Sequence, residues 1–327
     1  MPRQARLDSP GTLHHVMIRG IERRNIFLGD EDRKNFLSRV REISLDTGTR
    51  ILAWALLSNH VHLLLFSGRV GLPAFMRKLL TGYAVWFNRE HRRRGHLFQN
   101  RYKSIVCEEN PYLMELVRYI HLNPLRRSVV KNVAELDRYH WCGHAVLVGR
   151  NHNDWQETGY VLSLFGGGKR KAMGAYRRFM EEGKDIGRRL DLVGGGLIRS
   201  LGGWSKVISL RNRGEKEEYD SRVLGSGEFV ERVLREADEN LARQIRHKQR
   251  KNSMKEVVEK MCAEAGVKVE EIRGGNQRRR VAEVRAKAAY ELNREMGISM
   301  AEIARHLGVG ASAIGMAIRK EERGRLL

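Results

Sequence analysis

The chain has 327 residues, 41% of them hydrophobic, and its 61 Lys and Arg against 39 Asp and Glu give a formal net charge of +22. That length suits two or three units with a sizeable core, and so positive a field points to a polyanionic partner, nucleic acid above all. The cysteines Cys107, Cys142 and Cys262 are far apart, which excludes a disulfide framework or zinc knuckle.

No apolar run approaches the roughly 18 residues of a membrane span. Met1-Pro2-Arg3-Gln4-Ala5-Arg6 lacks the apolar core of a signal peptide. The expectation is a cytoplasmic, nucleoid-associated protein with no membrane partner. Its cations are clustered, at Arg92-Arg93-Arg94, Lys169-Arg170-Lys171, Arg246 to Lys251 and Arg278-Arg279-Arg280, as a nucleic-acid partner would require.

In chain order, Leu13 to Gly20 reads as a strand with His15, Met17 and Arg19 alternating against His14, Val16 and Ile18. From Asp30 the pattern is helical, through Phe36, Leu37, Val40, Ile43 and Leu45, and Gly48 ends it. Arg50 to Leu57 and His60 to Phe66 are two strands joined tightly at Ser58-Asn59. A helix from about Pro73 to Arg93 follows, then a strand at Tyr102 to Cys107 and a helix from about Pro111 to Leu122, stopped by Asn123-Pro124. The order β-α-β-β-α-β plus a helix is the ferredoxin-like, split βαβ arrangement.

Residues from about 130 to 154 read as irregular, with Tyr139, His140 and Trp141 as core plugs. The middle holds glycine clusters at Gly166-Gly167-Gly168, Gly194-Gly195-Gly196 and Gly202-Gly203, read as turns and helix ends. Gly166 to Lys169 fails the phosphate-loop pattern, because Ser163 stands where its first glycine belongs and Arg170 follows the lysine. No nucleotide cofactor is expected. A charged helix from about Gly227 to Arg250 leads into the final unit.

The chemistry centres on His60-Val61-His62. Strand alternation puts both imidazoles on one face, where two neutral rings suit a divalent cation; two strand histidines on a half-solvated sheet are the simpler alternative. Tyr119 and Asn123, at i and i+4 of the third helix, project from one helical face. His60, His62 and Asn123 form a candidate Mg²⁺ or Mn²⁺ site, with Tyr119 the candidate nucleophile on phosphorus. Tyr112, seven residues earlier, is its rival, and His14, His15 and His121 are read as structural or DNA-facing. Arg101 and Lys103 are candidate phosphate contacts.

His60-Val61-His62 resembles the histidine motif of the HUH single-strand nucleases. With Asn59 to Leu64, Gly95 to Ser104 and Arg118 to Pro124, the chain over about residues 5 to 145 is similar to the Y1-type, REP-associated tyrosine transposases. The resemblance implies that Tyr119 is the nucleophile and Asn123 completes the metal site. It further implies single-stranded hairpin DNA as substrate, a 5′-phosphotyrosine intermediate, and homodimerisation.

Ser299 to Glu302 fits a capping box opening a short helix to Leu307, followed by a turn at Gly308-Val309-Gly310 and a helix from about Ala311 to Lys320, the helix-turn-helix pattern. An ordinary helical hairpin is the alternative. The longer run from Met254 to Arg319 resembles the DNA-binding domain of DnaA-type replication initiators. By that resemblance Arg278, Arg279 and Arg280 map to a basic minor-groove loop. Ser312 is retained as a base or phosphate contact, whereas the recognition start is replaced by Gly310-Ala311-Ser312-Ala313.

The expected fold is α+β: an antiparallel ferredoxin-like sheet with helices on one face, a helical middle, and an all-α helix-turn-helix domain. The domains expected are a catalytic domain at 1–150, a connecting region at 151–250 and a duplex-DNA-binding domain at 251–327. The expected function is a metal-dependent tyrosine transposase and endonuclease acting on hairpin DNA; a non-catalytic DNA-binding regulator of the same ancestry is the rival.

Overall fold

The computed structural model describes residues 7–187, 189, 192, 220–273, 276 and 278–325. The N-terminal residues 1–6, the glycine clusters at 194–196 and 202–203, and the side chains of the basic run 246–251 lie outside that description. The chain divides into two compact units, Met1–Asp238 and Glu239–Leu327.

The first unit opens with β1 (Leu13–Arg19), α1 (Asp30–Thr47), β2 (Arg50–Leu57), β3 (His60–Phe66), α2 (Leu72–Glu90), β4 (Lys103–Cys107) and α3 (Glu109–His121). Helix α1 starts where the Asp32 carboxylate accepts from the Leu28 and Gly29 amides at 2.6 and 3.0 Å, and stops at Gly48 with φ 68°. Strands β2 and β3 pair from Leu57 opposite His60, so Ser58-Asn59 is a two-residue turn.

The strand order is β2-β3-β1-β4-β5, with β5 only Val223–Leu224. Strand β1 is antiparallel to β3 and β4, and β2 to β3, but β5 runs parallel to β4. The sheet is therefore mixed and five-stranded, which corrects the expected antiparallel one. A two-residue strand is too short to carry alternation, so its sequence gave no signal.

Helices also cover both faces of the sheet, where one was expected. Val16, Ile18, Trp54, Leu56, Val61, Leu63 and Leu65 pack with Phe36 and Val40 of α1 and with Phe75, Leu79 and Tyr83 of α2. On the opposite face Ala53, Ala55, Leu57, Leu64, Ile105 and Cys107 pack with Leu113, Leu116, Val117 and Ile120 of α3 and with Tyr176 and Met180 further along. The reason is visible in β2 and β3, where all but Arg50 are buried, as in sheets covered on both sides.

Helix α3 breaks at Leu122 and the chain restarts as α4 (Asn123–Arg126), with Pro124 in its first turn, where a missing N–H costs nothing. Short helices α5 (Val133–Leu136), α6 (His144–Leu147) and α7 (Thr158–Ser163) follow, then α8 (Lys169–Glu182). Cys107, Cys142 and Cys262 are buried free thiols. No described helix is long and apolar enough to cross a membrane.

Helix α9 (Gly227–Ala265) contributes Val230 to a small core with Leu7, Val106 and Val223. In the second unit its Met254, Val258 and Cys262 pack with α10 (Val269–Arg273), α11 (Arg279–Tyr290), α12 (Met300–Leu307) and α13 (Ala311–Arg325). Ser299 Oγ accepts from the Glu302 amide at 3.3 Å, opening α12. Gly308 closes it with φ +67°, and a Cβ there would stand 2.4 Å from the Arg273 carbonyl oxygen, so only glycine fits. Arg279 and Arg280 lie in the first turn of α11 with Arg278 as its N-cap, not in the loop expected for them.

Candidate active site

The strand histidines and the helix tyrosine meet. In β3, Val61 faces α1 and α2, so His60 and His62 face α3. The Tyr119 ring stands edge-on to His62 with centroids 6.0 Å apart, and edge-on to His15 at 5.9 Å. All four rings belong to one chain.

His15 was expected to be structural or DNA-facing. It is fully buried, stacked on His62 at 5.2 Å, with its Nε2 3.0 Å from His62 Nδ1 and its own Nδ1 3.2 Å from the Leu192 carbonyl oxygen. Register explains the contact, because Met17 of β1 stands opposite His62 and His15 lies two residues along on the same face. His60 Nδ1 is 2.6 Å from Asn59 Oδ1. His14 and His121 are also fully buried, so neither faces DNA; His14 pairs with Asp8 at 3.0 Å, and His121 meets Tyr176 Oη at 2.8 Å.

Burial pushes His15 and His60 down to about 4. It drives His62 well below the ordinary value, with neighbouring charge adding to the effect. Arg19 and Arg127 act in the same direction on His60 and His62, and Lys103 does so on His15. At neutral pH these rings are therefore uncharged, with nitrogen lone pairs available.

Asn123 Nδ2 donates to the carbonyl oxygens of Tyr119 at 2.9 Å and Ile120 at 3.4 Å, which leaves Oδ1 as its acceptor. Arg126 Nη1 donates to the same Tyr119 carbonyl at 2.9 Å and its Nε to Ile186 O at 3.2 Å, while its guanidinium lies 5.1 Å from the Tyr119 ring centre. Tyr119, Asn123 and Arg126 are thus interlocked through one carbonyl. Tyr119 itself is only 6% exposed.

Lys103 begins β4 exposed, opposite Met17 and so two strands from His62. Arg101 is exposed in the bend before it. Arg278 and Arg279 are 78% and 93% exposed at their side chains, Arg279 pairing with Glu283 at 3.0 Å. Arg280 and Ser312 are exposed in the first turns of α11 and α13. These four belong to the second unit.

Sequence reasoning missed Arg19, Arg126 and Arg127. Arg19 shares the β1 face of His15 by alternation, and Arg126 follows Tyr119 and Asn123 at i+7, a readable signal. Among the described residues, no group of three or more His, Cys, Asp or Glu side chains is arranged to hold a metal ion. The described cleft of about 330 Å³ at Ser44, Thr49, Arg50, Asp154 and Glu157 lies at the opposite end of β2 from the turn that leads to His60.

No curated protein matches the chain. Among the solved structures that resemble it in part are a REP-associated tyrosine transposase bound to a REP hairpin, at 18% identity and TM-score 0.39 over 48% of this chain and 94% of that one, and a candidate transposase from Deinococcus radiodurans R1, at 19% identity and TM-score 0.27 over 35% and 93%. Residues 10–123, which hold His15, His60, His62, Tyr119 and Asn123, match the transposase family described as IS200-like.

Proposed function

We propose that the protein cleaves and rejoins single-stranded hairpin DNA through a phosphotyrosine at Tyr119, on a split βαβ frame. The observation that carries this reading is the edge-on meeting of Tyr119 with His62 within one chain, at 6.0 Å. The IS200-like match over residues 10–123 supports the reaction class.

His60, His62 and Asn123 fit a Mg²⁺ or Mn²⁺ ion by their chemistry, as two uncharged imidazoles and an amide oxygen. Bound there, such an ion supplies neutralisation of the phosphodiester, and three uncharged ligands leave its full charge for that purpose. The Tyr119 oxygen forms the bond to phosphorus and its proton leaves to solvent. The P–O bond to the departing strand breaks, and its 3′-oxygen takes a proton from solvent and leaves as a 3′-hydroxyl, giving the 5′-phosphotyrosine. The Arg126 guanidinium held over the ring stabilises negative charge as it develops on the phenol. The ester keeps the bond energy, so a second 3′-hydroxyl rejoins DNA without a nucleotide cofactor.

Around this centre Arg19, Lys103 and Arg127 supply cations for the DNA backbone, with Arg101 nearby in sequence. The second unit is proposed to bind duplex DNA through a helix-turn-helix made of α12 and α13, with Arg278, Arg279, Arg280 and Ser312 as contacts. Its DnaA-like character, the division into catalytic, connecting and binding parts, action as a homodimer, and a place on the nucleoid complete the reading.

The test is a labelled hairpin oligonucleotide with Mn²⁺. A covalent protein–DNA adduct is expected, absent with EDTA and absent in Tyr119→Phe. An adduct that persists in Tyr119→Phe moves the nucleophile elsewhere. No adduct on any hairpin favours the regulator.

A further inference from the structure

An imidazole binds a cation only through a nitrogen that carries no proton. Each buried ring here has its Nδ1 already engaged, and in both cases a backbone carbonyl fixes which way the hydrogen bonds run.

The first relay starts at Leu192. Its carbonyl oxygen, 3.2 Å from His15 Nδ1, can only accept, so a neutral His15 spends its single N–H there. His15 Nε2 is then an acceptor, and the His62 Nδ1 that lies 3.0 Å away must donate. The second relay starts at Arg23. Its carbonyl oxygen, 3.0 Å from Asn59 Nδ2, likewise only accepts and so orients the amide. Asn59 Oδ1 thereby faces His60 Nδ1 at 2.6 Å, and that nitrogen donates too.

We infer that His15 and Asn59 are positioning residues that preset His62 and His60 as Nδ1–H tautomers, each with a bare Nε2, before any ion arrives. The inference rests on the proposed reading of His60 and His62 as metal ligands. Partners of this kind hold the ring orientation and the tautomer of a ligand histidine.

The backbone beyond the second relay supports the assignment. The Arg23 carbonyl is presented by a turn in which Glu22 and Arg23 take φ of 52° and 61°. Left-handed backbone is strained for non-glycine residues and persists where the surroundings hold it. Here the Asn59 amide is one holder, and the Ile26 and Phe27 amides donating to Ser58 O at 2.8 and 3.1 Å tie the same turn to the hairpin.

The experiment is long-range ¹H–¹⁵N correlation on the full chain, ¹⁵N-labelled at histidine and metal-free at neutral pH, with signals assigned through His60→Gln and His62→Gln. Both rings are expected with Nδ1 protonated and Nε2 bare; an Nε2–H tautomer at either overturns the inference. His15→Phe removes the acceptor, so His62 should shift toward Nε2–H, the commoner form in water, and calorimetric Mn²⁺ affinity should fall about 10–100-fold. His15→Gln can donate to Leu192 O and accept from His62, and should restore affinity to within about threefold. If His15→Phe leaves both the His62 signal and the affinity unchanged, the relay does not position the ligand. A wild-type chain with these tautomers but no Mn²⁺ binding would instead remove the ligand reading, leaving the relay intact.

Discussion

Arg126→Met is the substitution that isolates how Tyr119 is held. The methionine keeps most of the stem and removes the guanidinium, which donates to Tyr119 O and Ile186 O and covers the Tyr119 ring. Hydrogen bonds from a charged donor contribute about 1.5–3 kcal/mol each, and a cation over an aromatic face about 0.5–2 kcal/mol. Asn123 Nδ2 still reaches Tyr119 O, so that carbonyl is not orphaned, and the part of the loss felt by the phenol itself is the cation over its ring, at most about 2 kcal/mol. If the interaction acts on the reacting phenol, about 2 kcal/mol slows adduct formation by at most roughly 30-fold. Single-turnover adduct formation at saturating Mn²⁺ and excess hairpin measures this, with thermal melting in parallel. Arg126→Lys keeps the charge without the planar fork and should fall between. A lowered melting temperature with the adduct rate unchanged within about twofold would show that Arg126 braces the helix end and takes no part in the reaction.

Stability should fall on acidification. His15 and His60 are held at about 4 in the fold against an ordinary 6.5, so between those values the unfolded chain binds protons that the fold refuses. Stability is thus flat above about pH 7 and declines below it, by up to about 3 kcal/mol per imidazole near pH 4. Urea midpoints that stay constant from pH 7 to 4.5 would contradict this. Gly308→Ala puts a Cβ 2.4 Å from Arg273 O at φ +67° and should destabilise the second unit by at least about 2 kcal/mol, seen as a lower melting transition in the full chain. Arg279→Ala should weaken duplex binding across sequences and reduce the slope of log affinity against log salt by about one, while hairpin cleavage persists; equal loss of cleavage would argue against two separable modules.

The parts of this site that were legible were those written in local periodicity. Period two put His60 and His62 on one face, and the i, i+4, i+7 spacing of Tyr119, Asn123 and Arg126 was a readable row, although Arg126 went unread and the helix breaks at Leu122 within it. The second helical layer was signalled by the apolar stretches Ile51 to Leu57 and Leu63 to Phe66, which alternation rules misassign to a half-solvated sheet. What no pattern carries is contact across long separations. Leu192 lies 177 residues from the His15 ring it orients, and β5 reaches β4 from far along the chain.

The site also ties the chain's charge to its chemistry. A net charge of +22 attracts a polyanion, yet the same field disfavours protonation of any imidazole placed in it. Arg19 and Arg127 beside His60 and His62, and Lys103 beside His15, lower their basicity in the same sense as burial does. Cations proposed to meet the phosphate backbone therefore also act, with burial, to hold the His60 and His62 rings unprotonated. Placing carboxylates at those positions would repel the polyanion and raise the imidazole basicity together. The rim of Arg19, Lys103 and Arg127 thus acts on the proposed DNA contact and on the imidazoles at once, yet burial is the larger cause of their low basicity, so neutralising Arg19 should weaken DNA attraction and leave His60 and His62 uncharged at neutral pH.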